Sequence, residues 1–347
     1  TPPDVIEATK KALDQGAGCV YAPTRGLPRF KELIAKKFKE ENGIDADPEK
    51  NIIVANGGSG TITLAFASIF NPGDELLLFS PNFVSYFYVS RYFDARIVEV
   101  PRDGELAPSL DSMEGSITSK TKAILINSPN NPTGHAISRN DLESICDACI
   151  EHDLYLISDE VYEKFLYDGR EHVSPASLNG MGDRTITLNA LSKTFSTTGF
   201  RVGYLAASEE IIPLMENFLQ YTGAGVNHPC QDGGIAAMEL LLDNPGFMEK
   251  IIHDYEKRRD ICHRRLNEMG LPCPLPGGAF YEMPSVEMTG MSGDVFSREL
   301  VRNKGVAVVP GGTFGSHSRN RVRISYALPE VKLVQALNRM EAFIKAS

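Results

Sequence analysis

Several short polar clusters in this chain hold residue types that can act together on a carbonyl. Ser192-Lys193-Thr194 puts a lysine shortly after the apolar run 186–188. At the end of a buried strand such an amine is partly desolvated, which lowers its pKa and makes it a nucleophile. Asp159-Glu160-Val161-Tyr162 puts two carboxylates and a phenol after the run 154–157. A buried carboxylate without a partner is costly, so at least one of the two needs a cation, and a protonated ring nitrogen would serve. Asn56-Gly57-Gly58-Ser59-Gly60-Thr61 sits between an apolar run and a helical pattern. Glycines let backbone N–H groups converge there, and a helix N-terminus favours an anion such as phosphate. A capped tight turn is the plainer alternative. Ser128-Pro129-Asn130-Asn131-Pro132-Thr133-Gly134 reads as a rigid polar loop after a strand, the kind of loop that holds ligands. Arg201 follows Lys193 by 8 residues, and Arg321 and Arg323 alternate on a strand-like stretch so that one of them can face a cleft. The guanidinium fork suits phosphate and carboxylate, although each arginine could equally form a surface ion pair.

The set is more informative than its members. A phosphate nest, a lysine, a buried acid, a phenol, an asparagine and spare arginines suit a phosphorylated pyridine aldehyde held as a Schiff base. A nicotinamide site fits poorly, because the glycine cluster lacks the G-x-G-x-x-G spacing and no ribose-binding acid follows about 20 residues on.

The elements that must position these residues alternate along the chain. Helical patterns at 4–14 and 28–41 precede strand-like runs at 52–55, 76–79, 97–100, 123–126, 154–157, 186–188 and 202–205, with helical patterns at 61–70, 83–91, 138–151 and 208–222 between them. Short apolar strands without polar alternation predict an α/β fold, a mostly parallel sheet sandwiched by helices. In such sheets ligands sit at the carboxyl ends of the strands, where these clusters fall. After about residue 245 the texture changes. Helical patterns at 248–268, 293–303 and 329–345 and strand-like runs at 280–283, 306–309 and 322–326 predict a smaller α+β domain. The expected division is a large cofactor-binding domain over 16–245 and a small domain over 1–15 plus 246–347.

Composition narrows the function classes. The formal net charge of -10 argues against a nucleic-acid surface. No run reaches the roughly 18 apolar residues of a membrane span. Six cysteines in 347 residues are too sparse for a disulfide scaffold. Cys146 and Cys149 lie inside a helical pattern and read as packing residues. A cytoplasmic location is the default expectation.

The combination of Asn131-Pro132-Thr133-Gly134, Asp159-Glu160-x-Tyr162, Ser192-Lys193 and Gly199-x-Arg201-x-Gly203, in this order, resembles the fold type I pyridoxal-phosphate-dependent aminotransferases of classes I and II. Within that group it looks most like the aspartate and aromatic aminotransferase branch. The resemblance runs from Tyr21 to the last helix.

It implies pyridoxal 5′-phosphate on Lys193, with Asp159 pairing the pyridine nitrogen and Asn131 and Tyr162 bonding the ring's 3′ oxygen. Phe83 would stack on the ring. Ser59, Gly60, Ser192 and Arg201 would hold the phosphate, helped by Tyr21 of a second subunit in a homodimer. The family often has a hydroxyl three positions before the lysine, where this chain has Ala190. Arg323 would clamp the substrate α-carboxylate. The implied reaction is ping-pong transfer of an amine from an L-amino acid, aspartate as first expectation, to a 2-oxo acid such as 2-oxoglutarate. A distal carboxylate would need a second cation, for which Arg25 is a candidate. Aromatic, alanine or branched-chain donors, a carbon–sulfur lyase on the same scaffold, and a regulatory or binding module are the alternatives. The resemblance implies an N-terminal arm ahead of the helix at 4–14 that lines the substrate pocket; no such arm is expected in the sequence from Thr1 onward.

Overall fold

The computed structural model describes residues 1–346. Helices α1 (Pro3–Asp14) and α2 (Pro28–Asn42) come first, followed by β1 (Ile52–Ala55), α3 (Gly57–Ile69), β2 (Glu75–Ser80) and α4 (Val84–Tyr92). Next are β3 (Arg96–Pro101), the short α5 (Leu110–Glu114), β4 (Thr121–Asn127), α6 (Arg139–Glu151) and β5 (Tyr155–Asp159). Strand β6 (Thr185–Ala190) runs directly into the single turn α7 (Leu191–Thr194), and β7 (Gly203–Ala206) precedes α8 (Ile212–Gly223) and α9 (His228–Asp243). The last part contains α10 (Glu249–Glu268), β8 (Tyr281–Glu282), α11 (Gly293–Lys304), β9 (Val309–Pro310), β10 (Val322–Ser325) and α12 (Glu330–Ile344).

The large sheet has the order β1-β7-β6-β5-β4-β2-β3. Strands β2 to β6 pair in parallel, and β7 runs antiparallel to both neighbours. This is the mostly parallel, helix-covered sheet that the apolar runs predict. Alternation sends successive side chains to opposite faces. Leu76 and Leu78 pack with α3, Tyr86 of α4 and α8 on one face, whereas Leu77 and Phe79 pack with α6 on the other. A separate antiparallel sheet, β8-β10-β9, is joined to α10, α11 and α12 through a core that includes Phe296, Leu300, Leu337 and Phe343.

Register fixes the working edge. Asn127 pairs with Asp159, Asp159 with Leu188, and both Ala190 and Ala55 pair with Gly203. The ends of β1, β4, β5 and β6 therefore lie side by side.

Helix α9 was not expected from the pattern, although Asn227 caps it by accepting from the Cys230 N–H at 3.0 Å and Pro229 lies in its first turn. Both are start signals. Helix α1 packs along α9. That contact is close because residue 233 is glycine: a Cβ there would lie 2.3 Å from Thr9 Oγ1 and 3.0 Å from the Phe200 ring. Gly233→Val should therefore destabilise the protein by about 1–3 kcal/mol, the usual cost of overpacking. Urea unfolding, with protease cleavage at α1 as a second readout, checks this; an unchanged midpoint would show that the α1–α9 contact contributes little.

Candidate functional site

The aligned strand ends open on a cavity of about 370 Å³. Its lining includes Gly58, Ser59, Phe83, Asn131, Asp159, Tyr162, Ser192, Lys193, Arg201 and Arg323. One place thus collects residues separated by up to 265 positions in the sequence.

Asp159 ends β5 and is buried. Its Oδ2 accepts from the Tyr86 hydroxyl at 2.6 Å and its Oδ1 from the Val161 N–H at 3.2 Å. Among the described residues no cation forms an ion pair with it. Burial pushes the carboxyl up to about 6, the charge of Glu160 pushes the same way, and the two hydrogen bonds and Lys193 only partly offset this.

Lys193 sits in the turn α7, where β6 delivers it. No hydrogen bond or ion pair holds its amine among the described residues; Nζ lies 5.7 Å from the centre of the Tyr162 ring and 5.9 Å from that of Phe280. Burial lowers its pKa, and the charges of Arg323 and Arg201 add to that against the pull of Asp159.

Gly58 and Ser59 lie in the first turn of α3, where helix N–H groups lack intrahelical partners and attract anions. Gly60 does not line the cavity; its N–H is already donated to Asn56 O at 3.3 Å. The helix begins at Gly57, four residues before the sequence pattern suggested, which moves the anion-binding turn back to Gly58 and Ser59. Arg201 adopts a left-handed conformation, φ 56°, and donates to Thr198 O at 3.0 Å. Gly57, at φ +67°, leaves room for it: a Cβ there would fall 2.6 Å from Arg201 Nη2. Ser192 lines the same end, and Ala190 stands where a hydroxyl was expected.

Arg323 projects from β10. Its guanidinium is sandwiched 4.7 Å from the Tyr281 ring centre and 4.8 Å from that of Phe314, and Nη1 donates to Asn131 Oδ1 at 2.9 Å. Its buried Nε has no partner among the described residues, so one donor of the fork is free. Burial lowers the Arg323 pKa. The Tyr162 and Tyr281 hydroxyls lie 3.0 Å apart, and burial raises both phenols.

A free half-buried amine, an unpaired buried carboxylate, a helix N-terminus beside Arg201 and an open guanidinium donor fit a phosphorylated pyridine aldehyde with a carboxylate substrate. Besides Gly60, two further residues from the sequence reading lie elsewhere. Tyr21 is outside the cavity with 88% of its surface exposed. Arg25 pairs with Glu216 at 2.6 Å and donates to Glu49 O, so it is not presented to this cavity.

Comparison with known proteins agrees with this reading. The profile of Aminotransferase class I and II matches residues 1–340. The chain belongs to that family. It is a pyridoxal-phosphate-dependent aminotransferase. It is 43% identical to aromatic-amino-acid aminotransferase 2 of Thermococcus litoralis and 42% identical to aspartate aminotransferase of Pyrococcus abyssi, in each case over 99% of this chain and 89% of the relative. Among solved structures, an aromatic aminotransferase from Pyrococcus horikoshii superposes with a TM-score of 0.96 at 41% identity, over 100% of this chain and 93% of that one. Aspartate aminotransferase from Thermus thermophilus with maleate gives 0.93 at 36%, over 99% and 88%.

The aminotransferase cavity also includes Tyr86, Asn127, Thr198 and Tyr281, which the sequence reading did not name. Tyr86 lies in α4, and its ring meets that of Phe83, the residue just before the helix, edge to face at 5.6 Å. Asn127 ends the strand beside Asp159 and could have been found from that position. Thr198 and Tyr281 carry no local signal.

The Asp159 environment sets a pH dependence. Its carboxyl titrates near 4 in an unfolded chain and at about 6 in the fold. The fold thus favours the neutral acid: this contribution to apoenzyme stability is fully present below about pH 4 and is lost as pH rises through about 6. Asp159→Asn should flatten that fall in urea unfolding of the apoenzyme between pH 4 and 7. A variant with the wild-type pH dependence contradicts the assignment.

Proposed function

We propose that this aminotransferase accepts L-amino acids by their α-carboxylate on Arg323 and uses Lys193 as both the cofactor-bearing amine and the proton carrier. When bound, pyridoxal phosphate supplies an electron sink for the carbanion formed at the amino acid's Cα. Asp159 keeps the pyridine nitrogen protonated, and its lack of a cation from the protein supports this role. Asn131 and Tyr162 would hold the ring's 3′ oxygen, Phe83 would pack against the ring, and Ser59, Ser192 and Arg201 would hold the phosphate. The amine of Lys193, with its lowered pKa, would take the proton from the substrate's Cα and hold it at Nζ. Arg323, fixed by two aromatic rings and Asn131, orients the Cα–H bond; its free Nε donor supports a two-point grip on a carboxylate.

The observation that carries the donor class is the inventory of cations. Lys193, Arg201 and Arg323 are the cations among the described residues lining the cavity, and each has a task. One chain therefore offers nothing to a second carboxylate, which favours aromatic and other monocarboxylate donors. Aspartate with 2-oxoglutarate as acceptor is the second reading. Likeness to the Pyrococcus abyssi aspartate aminotransferase favours it, and it needs a cation from a partner subunit. The exposed Tyr21, beside a surface cleft formed by 17–22 and 223–229, supports a homodimer in which that loop reaches the partner's phosphate. No helix among the described residues is long and apolar enough to cross a membrane. Six free cysteines fit the reducing cytoplasm.

A donor panel tests this reading, with the cofactor's absorbance followed in single half-reactions. Tyrosine or phenylalanine should convert the cofactor to its aminated form faster than aspartate does, and no spectral change with any amino acid contradicts the assignment. Arg323→Lys should lower kcat/KM for every donor by roughly 10- to 100-fold, because a point charge does not replace the fork. A loss confined to dicarboxylic donors would place Arg323 at the distal end instead.

A further inference from the structure

Immediately after Asp159, the chain enters a buried polar network that lines no part of the cavity. Glu160 is fully buried. Its Oε1 accepts from Ser158 Oγ at 2.9 Å and Ser174 Oγ at 2.7 Å, and its Oε2 from Asn42 Nδ2 at 3.1 Å and His172 Nε2 at 2.9 Å. An ionised carboxylate only accepts, so His172 carries a hydrogen on Nε2. Lys37 reaches in from α2, donating to Asn42 Oδ1 at 2.7 Å and to Glu163. Glu163 also accepts from Asn42 at 2.7 Å and from Asn189 Nδ2 at 2.8 Å. At the rim, Glu41 lies 3.8 Å from Lys37 Nζ and 2.6 Å from Lys164 Nζ. Tyr204 of β7 completes the set; burial raises its phenol, and Glu163, Glu41 and Glu160 push it further.

The charges facing one another are thus those of Glu41, Glu160 and Glu163 against those of Lys37 and Lys164. The network is neutral only when His172 is protonated. Burial works against that proton, but the charge and hydrogen bond of Glu160, reinforced by Glu163, outweigh it and raise the imidazole's pKa. Ligand atoms of Glu160, Glu163 and His172 lie within 4.8 Å of one another, a spacing that could suit a metal ion, but Lys37 already supplies the cation. Glu160 is covalently adjacent to Asp159 and its charge opposes ionisation there. An uncompensated negative charge at this point would work against the carboxylate that must receive a pyridinium.

We propose that His172 is a positioning residue for the cofactor site: by closing the charge of the Lys37–Glu163–Asn42–Glu160 network, it allows Asp159 to ionise and take the pyridine nitrogen. His172 touches neither cofactor nor substrate and acts through Glu160. The inference rests on the assignment of Asp159 to that nitrogen.

The test is the affinity of apoenzyme for pyridoxal phosphate between pH 5 and 9, measured for wild type, His172→Gln, His172→Lys and Asp159→Ala. Glutamine keeps a donor and loses the charge, so the acid limb of binding should move to higher pH by about half to one pH unit, roughly three- to tenfold weaker binding on that limb. Lysine keeps the charge and should retain the wild-type limb. An unshifted limb in His172→Gln, or equal shifts in both variants, overturns the proposal. If neither variant folds, nitrogen NMR of the wild-type imidazoles decides: a charged His172 at pH 7 supports the proposal and a neutral one overturns it. The two assignments separate in the same data. Asp159→Ala with the wild-type limb removes the Asp159 assignment itself, whereas an altered Asp159→Ala limb beside an unshifted His172→Gln limb removes only the role of His172.

Discussion

The structure depends on a carboxylate that the protein does not neutralise. Asp159 is taken out of water at the end of a central strand and given two hydrogen bonds, with no ion-paired cation among the described residues. A buried charge without a counter-charge is costly, and the raised pKa records that cost. In the proposed reading the remedy is a bound cation, the pyridinium of the family's cofactor. The opposite arrangement holds at Lys193, an amine whose charged form burial disfavours and which is therefore suited to a covalent bond with an aldehyde. The apoenzyme thus stores two mismatches that one ligand relieves together.

The fold keeps these groups in register. Neighbouring strand ends present Asn127, Asp159 and the turn carrying Lys193, while the antiparallel β7 brings Gly203 between β1 and β6. The small sheet contributes Tyr281 and Arg323 from the other wall. The proposed substrate clamp and the proposed cofactor cradle therefore belong to different sheets, and the bond from Arg323 to Asn131 ties one to the other.

Much of this was legible in the sequence because its signals are local. Apolar runs of strand length marked every strand of the large sheet, and the polar clusters that follow them fell at the cavity. What stayed hidden depends on tertiary neighbours or on weak helix formers. The first turn of α3 is Gly57-Gly58-Ser59-Gly60, poor in helix propensity, so its pattern suggested a later start and named Gly60 where Gly58 lines the wall. Tyr86 looked like one aromatic among many in α4, and only the strand β5 beside it gives its hydroxyl a task. The network of Lys37, Asn42, Glu163, His172 and Asn189 joins separate elements and has no motif at all. Lys37 reads from the sequence as a solvated helix lysine, yet it is buried against Glu163.

The most direct test is reduction of the cofactor-loaded enzyme with borohydride, followed by mass mapping of its peptides. The account predicts one stable pyridoxyl-phosphate adduct, on the peptide carrying Lys193, and none in Lys193→Ala. An adduct on a different lysine, or a saturated enzyme whose Lys193 peptide keeps its unmodified mass, would contradict it.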